Sequence, residues 1–422
     1  MRILYVHERL GALGGAEANA RITAESLKER GHSVGCLHGP GTGKGEEQWK
    51  QAFNFLYPLE GWSEGRLLEV IKEFQPDIFY IHKMPDLQLI ELLLKTGVPM
   101  VRMVHDHDIY CMRSYKYHYF SRKICTRAAS WYCLFPCAGM VVKNHGAGLP
   151  VKFLSFREKL REIRLNQQFD RMVVVSNYMR EELLKNGFDG SRIEIHPPVP
   201  RMPATNIQSS FSDRNLIIYA GQIIRGKGVD VLIRALAQIK THFECVVLGD
   251  GNHKRYCEEL VQKLGLSNRV KFEGFIPQEK LTAYYKDCSV IALSSVWPEP
   301  IATIGLEVMR YGLPVVAFDA GGIRDWLKDG ENGFLVPWMK IDDYAARLEQ
   351  LLNDKELARR MGKNGLNLVN SRYHYSSYIL DLEEMFERVI ASKSTTSEPR
   401  LRTSRGSEAK AQGSVLTIAA IP

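Results

Sequence analysis

Short apolar runs alternate with amphipathic stretches along most of the chain, and the alternation starts twice. The first forty residues read as strand, glycine loop, helix and strand, in "RILYVH", "GALGGAE", "ANARITAESLKERGH" and "SVGCLH". Near residue 214 the same grammar restarts: "NLIIYAG" is a strand, "QIIRGKG" a loop, and "VDVLIRALAQIK" a helix with apolar residues at helical spacing. Strands continue in both halves, as "DIFYIH", "VPMVRMVH" and "RMVVVS", then "ECVVLG", "RVKFEG", "SVIALSS" and "LPVVAF". This alternation predicts an α/β protein with two Rossmann-like, doubly wound parallel-sheet domains. In such sheets ligands bind beyond the carboxyl ends of the strands, so two facing sheets would line one central cleft.

The proline-rich "HPPVPRMPATNIQSS" reads as a linker. The expected division is a first domain over 1–195, a linker over 196–212, a second domain over 213–375 and a last helix over 376–392. Residues 393–422 are polar and low in complexity, which predicts a disordered tail.

Hydrophobic residues make up 45% of the chain and charged residues 25%, the profile of a soluble globular protein. No apolar run reaches bilayer length, and the opening "MRILYVHERL" is too short and too charged for a signal peptide, so a cytoplasmic protein is expected. The net charge of +8 is uneven: residues 101–171 hold 13 Lys/Arg against 5 Asp/Glu, an excess equal to that of the whole chain. Such a patch can bind nucleic acid, anionic lipid heads or a phosphorylated substrate, and a solvated basic face explains it equally. Of eight cysteines, Cys36, Cys245, Cys257 and Cys288 stand singly in predicted strands and helices, as small core residues do.

Several strand-end loops carry candidate chemistry. "GALGGAE" opens a helix with glycines that let backbone amides approach an anion, without the spacing of a dinucleotide fingerprint. "GQIIRGKG" offers Arg225 and Lys227, a planar fork and a point charge suited to a diphosphate. "LGDG" and "FEGFIP" are further strand-end turns, and the backbone near Ile276 could read a base edge. In "WPEPIATIGLEVMRYGLP" a helix is expected to begin just after Pro300 and stop at Gly312. A helical rise of ~1.5 Å per residue then sets the backbones of Glu299 and Glu307 roughly 10 Å apart, too far for the acid and nucleophile of a retaining glycosidase. Two acceptors gripping different hydroxyls of one long ligand suit the spacing better, while a capping glutamate plus a surface glutamate is the plainer alternative.

Together "GGAE", "GKGVDVLI", "LGDG", "FEGFIP" and "PEPIATIGLEVMRYGLPVVAFDAGGIRDWLKDGENGFLV" resemble the family-4 glycosyltransferases, retaining nucleotide-sugar enzymes of the GT-B fold. The resemblance runs to about residue 390. It implies that Glu299 holds hydroxyls of the donor sugar, Glu307 the nucleotide ribose, and Lys227 the donor diphosphate. Gly14 and Gly15 match the loop that closes over the phosphates, and Gly249, Ile276, Ile301, Ala302 and Thr303 complete the expected donor site. The donor would be a nucleoside diphosphate sugar, UDP- or GDP-linked, transferred to a hydroxyl acceptor without a metal, in polysaccharide, lipopolysaccharide or other glycoconjugate assembly. No nucleic acid partner is implied, and the last helix is expected to pack back on the first domain. Three positions depart from the family pattern: Gln222 replaces a usual arginine, so that Arg225 is an alternative phosphate ligand; Ala302 replaces a common glycine; Asp325 replaces a usual glutamate. A nucleotide-sugar epimerase or a non-catalytic sugar-nucleotide binder are the competing activities.

On the acceptor side, "HDHD" puts His105 at a strand end, where similar enzymes place a histidine near the donor sugar; a loop histidine satisfied by its neighbouring aspartates is the alternative. Cys111, Cys125, Cys133 and Cys137, with His118 among them, could close a structural zinc site or form two thiol pairs. "GLPVKFLSFREKLREIRLNQ" can form a basic amphipathic helix, either lying on an anionic membrane face, with lipid-linked acceptors, or packed on the first domain.

Overall fold

The computed structural model describes residues 1–11, 14–59, 63–118, 120–143, 151–201 and 212–396. In the first half, β1 (Arg2–His7), β2 (Ser33–His38), β3 (Phe55–Pro58), β4 (Ile78–Ile81) and β5 (Met100–Val104) are followed by a small antiparallel hairpin, β6 (Val141–Lys143) and β7 (Val151–Phe153), and then by β8 (Arg171–Val174) and β9 (Ile193–Ile195). The second half contains β10 (Leu216–Ala220), β11 (Glu244–Leu248), β12 (Val270–Gly274), β13 (Val290–Leu293), β14 (Val315–Phe318) and β15 (Gly333–Val336).

The first sheet has the order β3-β2-β1-β4-β5-β8-β9 and the second β12-β11-β10-β13-β14-β15. Every pairing within these two sheets is parallel, as helical crossovers between successive strands require. Helices cover both faces, so the central strands are almost wholly apolar: Ile3, Leu4 and Val6 in β1, and Ile217 and Ile218 in β10, are fully buried. Cys36, Cys245, Cys257 and Cys288 are buried among them as small core side chains.

The last helix, Tyr375–Thr396, crosses to the first sheet's side of the molecule. Asn19 donates to the Tyr378 hydroxyl at 2.9 Å, Arg30 to Glu383 at 2.7 Å, Arg388 to Glu194 at 2.7 Å and Lys393 to Asp170 at 2.7 Å. Residues 202–211 of the expected linker and 397–422 of the expected tail lie outside the described residues.

Two helix starts differ from the sequence reading. The helix after "PEP" runs Thr303–Met309 rather than starting just after Pro300, because Ala302 adopts a left-handed φ of 57° just before it. The basic helix runs Phe156–Asn166, since residues 151–153 are taken by β7. Its Ile163, Leu165 and Asn166 are buried, Arg102 donates to Asn166 at 2.9 Å, and Arg161 pairs with Glu91, so this helix packs on the first domain.

Candidate functional site

The carboxyl ends of β10 and β13 meet at two loops that are stitched together. Val296 and Trp297 donate their backbone amides to Gly226 O at 2.9 and 3.1 Å, and Ser294 Oγ donates to Lys227 O at 3.0 Å. Gly228 makes the approach possible. With φ of 67°, a Cβ there would sit 2.1 Å from Ser294 O, so the position accepts only glycine.

This stitching delivers Lys227 to Glu299. Lys227 Nζ lies 2.6 Å from Glu299 Oε1, which also accepts from Trp297 Nε1 at 2.7 Å and from Ser295 Oγ. Lys227 further stands 5.4 Å from the Trp297 ring centroid, a cation–π contact. Glu299 is 3% exposed. Burial pushes its carboxyl up, but Lys227, Ser295 and Trp297 outweigh burial and hold it below the usual range. The result is a buried carboxylate fixed by three donors on one oxygen, one of them the Lys227 ammonium. Sequence alone singled out Glu299 and Lys227, but not their bond to each other nor the part of Ser295 and Trp297.

Glu307 lies on the helix Thr303–Met309, half-buried near the Tyr285 hydroxyl, and burial raises its carboxyl to about 7. A carboxyl raised in the folded state favours folding below its unfolded value near 4.5 and loses that contribution as pH rises through about 7. Glu307→Gln is therefore expected to remove up to roughly 3 kcal/mol of pH dependence between those limits. Urea unfolding at pH 5 and pH 8 checks this; an unchanged slope in the variant would count against a strained carboxyl. Ala302 and Thr303 sit at the start of the same helix, and Ile301 is buried, its carbonyl accepting from Trp326 Nε1 at 2.6 Å. The family's common glycine is physically sensible at position 302, where φ is 57°.

Gly249 has φ of 145° and faces Gly221 O, while Gly14 precedes the first helix and Gly15 begins it. Ile276 is half-buried after β12. Gln222 is exposed, and its backbone carbonyl accepts from Tyr219. Arg225 does not stand beside Lys227 as a second free cation: it donates to the Phe120 carbonyl of the first domain at 3.2 Å.

Across the cleft, His105 follows β5. Its neighbouring aspartates do not satisfy it: Asp106 and Asp108 both pair with Lys83, at 3.3 and 3.0 Å. His105 Nε2 instead lies 2.9 Å from His82 Nδ1, the rings stacked 5.2 Å apart. Burial, reinforced by His7 and Lys83, lowers His105 to about 3, so it is a neutral imidazole. His7, His82, Lys83, His105 and Ala16 line a cavity of about 20 Å³, enough for one water or hydroxyl. Within it, His82 Nε2 is buried without a hydrogen-bond partner among the described residues.

His107, which sequence reading did not single out, bridges the domains. Its Nε2 donates to the carbonyl of Pro298, directly before Glu299, at 2.9 Å, and its Nδ1 accepts from the Tyr110 hydroxyl at 2.7 Å. Arg122 pairs with Asp230 at 3.0 Å, and Asn177 donates its backbone amide to Asp325 at 2.6 Å. Asp325 thus binds the first turn of a helix in the opposite domain.

Cys111, Cys125, Cys133 and Cys137 line a common cavity of about 20 Å³. Burial pushes the Cys133 and Cys137 thiols up, away from the thiolate that binds metal. No trio of His, Cys, Asp or Glu among the described residues is set as metal ligands.

Two family models match: Glycosyltransferase Family 4 over residues 13–199 and Glycosyl transferases group 1 over residues 204–368. Among curated relatives, alpha-D-kanosaminyltransferase of Streptomyces kanamyceticus is 32% identical over 170 residues, 40% of this chain and 44% of the relative. The lipopolysaccharide core biosynthesis glycosyltransferase LpsE of Rhizobium meliloti is 30% identical over 182 residues, 43% of this chain and 51% of the relative. The chain thus spans about half the length of these curated relatives. Among solved structures, Anabaena Alr3699/HepE in complex with UDP superposes with a TM-score of 0.69 at 18% identity, covering 92% of this chain and all of that one. Sucrose-phosphate synthase from Thermosynechococcus elongatus superposes at 0.67 and 18%, covering 93% of this chain and all of that one. These likenesses show the fold, GT-B, with its two Rossmann-like domains.

Proposed function

The chain belongs to the family-4, group 1 glycosyltransferases, and on that premise we propose that it moves a sugar from a nucleoside diphosphate donor to a hydroxyl acceptor with retention of configuration. The observation that carries the reading is the buried Glu299 carboxylate held by Lys227, Ser295 and Trp297 at the mouth of the second sheet. In this reading a donor diphosphate competes for Lys227, the sugar hydroxyls take over the acceptor positions of Glu299, and Glu307 accepts from the ribose. UDP is the favoured nucleotide, because the similar Alr3699/HepE is a UDP complex.

His105 is assigned to hydrogen-bond the donor sugar or the acceptor. A neutral imidazole can do either without desolvating a charge. The resemblance to retaining family-4 enzymes implies a front-face route in which the departing phosphate oxygen takes the acceptor proton, and no carboxylate among the described residues stands as an evident nucleophile. The transfer needs no metal in this scheme, since Lys227 and backbone amides meet the developing charge. His107 and Asp325 hold the domains together around the site and help exclude water.

No helix among the described residues is long and apolar enough to cross a membrane. Peripheral contact with an anionic, inner-leaflet surface is proposed instead through exposed Trp131, Phe135 and Phe153 beside the basic residues around them, rather than through the helix Phe156–Asn166. Flotation with anionic liposomes tests that point, and a protein that stays at the bottom at low salt contradicts it.

For the activity, thermal shift with UDP, GDP and ADP is the direct test. One nucleotide is expected to raise the melting temperature of the wild type, and the shift is expected to shrink in Glu307→Ala. No shift with any of them would overturn the donor assignment.

A further inference from the structure

From Ile109 to Arg157 the chain carries eight lysines and arginines and no aspartate or glutamate. Within this stretch His118, Ser121, Lys123, Thr126, Arg127 and Tyr132 line a cavity of about 310 Å³. The volume suits a small ligand.

Its walls are built, not incidental. Tyr117 and Ile124 form an antiparallel bridge, and His118 and Lys123 close the turn between them through a 2.9 Å backbone bond. The Arg127 guanidinium lies 4.6 Å over the Tyr132 ring, whose hydroxyl is 3.3 Å from His118 Nε2. Stacking fixes the plane of the guanidinium while leaving its N–H edge available, which is the arrangement that recognises a phosphate by paired hydrogen bonds. Lys123 adds a point charge, and Ser121 and Thr126 add hydroxyls. The same turn meets the opposite domain: Arg122 pairs with Asp230, and Phe120 O accepts from Arg225, two residues from Lys227. A group held in the cavity therefore sits on a segment that touches the donor turn.

We propose that this cavity binds the phosphate group of an anionic acceptor, either a soluble sugar phosphate or the phosphate of a lipid-linked one. The word acceptor rests on the glycosyltransferase reading; the capture of a phosphate does not.

The test uses the full chain, with UDP, glucose, glucose 6-phosphate and vesicles of phosphatidylglycerol or phosphatidylcholine as probes. UDP is titrated first and separately: failure of wild type to bind it would sink the donor assignment and leave the cavity to be judged on the other arms. The wild type is expected to bind glucose 6-phosphate but not glucose, or to float with phosphatidylglycerol but not phosphatidylcholine vesicles. The first outcome assigns a soluble phosphate and the second a lipid one. In Arg127→Gln, and independently in Lys123→Gln, that binding is expected to weaken at least tenfold while UDP binding stays unchanged. Both side chains are exposed, so both variants are expected to fold. Equal binding by wild type and both variants, equal binding of glucose and glucose 6-phosphate, or no response to any phosphate-bearing probe would each overturn the proposal.

Discussion

Lys227→Ala is expected to weaken UDP binding by about 100-fold, near 3 kcal/mol, and to cost a further ~3 kcal/mol of folding stability at pH 8. The first loss is that of a charge-assisted bond to the diphosphate. The second arises in the empty protein, because Glu299 is 3% exposed and would keep its charge with only Ser295 and Trp297 as donors. The pH dependence should change sign. In the wild type Glu299 is held below its ordinary range, so its contribution is present above about 4.5 and fades as pH falls through the lowered value. Without Lys227 burial dominates, the carboxyl rises above 4.5, and the variant gains stability as pH falls. Adding Glu299→Gln to Lys227→Ala should restore most of the stability and none of the UDP affinity. Urea unfolding at pH 5 and pH 8, with a UDP titration at pH 8, reads all of this. Equal stability of the single and double variants would mean that the pair is not the buried charge contact seen here.

The strand pattern was legible because its signal is local. A run such as "NLIIYAG" announces a fully buried parallel strand by its own composition, and β10 is found there. The start of the helix Thr303–Met309 was not: Pro300 is an acceptable first helical residue, but Ala302 is forced left-handed where Ile301 turns inward to receive Trp326. Gly305 takes part in the same packing, since a Cβ there would meet the Trp326 ring at 2.1 Å. Lys227 and Glu299 could each be named from a strand-end motif, yet they are 72 positions apart, and only the side-by-side placement of β10 and β13 makes them partners. His105 and His107 differ in the same way. They share the string "HDHD", but one turns to His82 and the other crosses to Pro298, a choice made by the tertiary fold.

Glu182→Ala is expected to destabilise the protein by about 3 to 5 kcal/mol, the range for stranding one member of a buried pair. Glu182, 1% exposed at its side chain, faces Lys116, 3% exposed, at 2.8 Å, and accepts from Lys185 at 2.7 Å on its other oxygen. Lys116 is also the tether of the cationic segment. Its ammonium donates to the Arg127 carbonyl and lies 5.7 Å from the Tyr110 ring, so it joins three parts of the first domain at one buried point. With the carboxylate gone, the ammonium must either stay buried with a carbonyl and a ring for company or swing out and release Arg127. The second course is cheaper, because an unpaired buried ammonium costs several kcal/mol and surface lysines cost nothing. Loss of stability should therefore be accompanied by local loosening around residues 116–127, while the second domain keeps its UDP response. Replacing both partners, as Lys116→Met with Glu182→Leu, removes the stranded charge and is expected to recover at least half of the stability. Hydrogen exchange across residues 110–140, alongside urea unfolding of the single and double variants, separates the two parts. A Glu182→Ala protein with wild-type stability and exchange would show that the Lys116 ammonium has another buried partner and that the segment is anchored elsewhere.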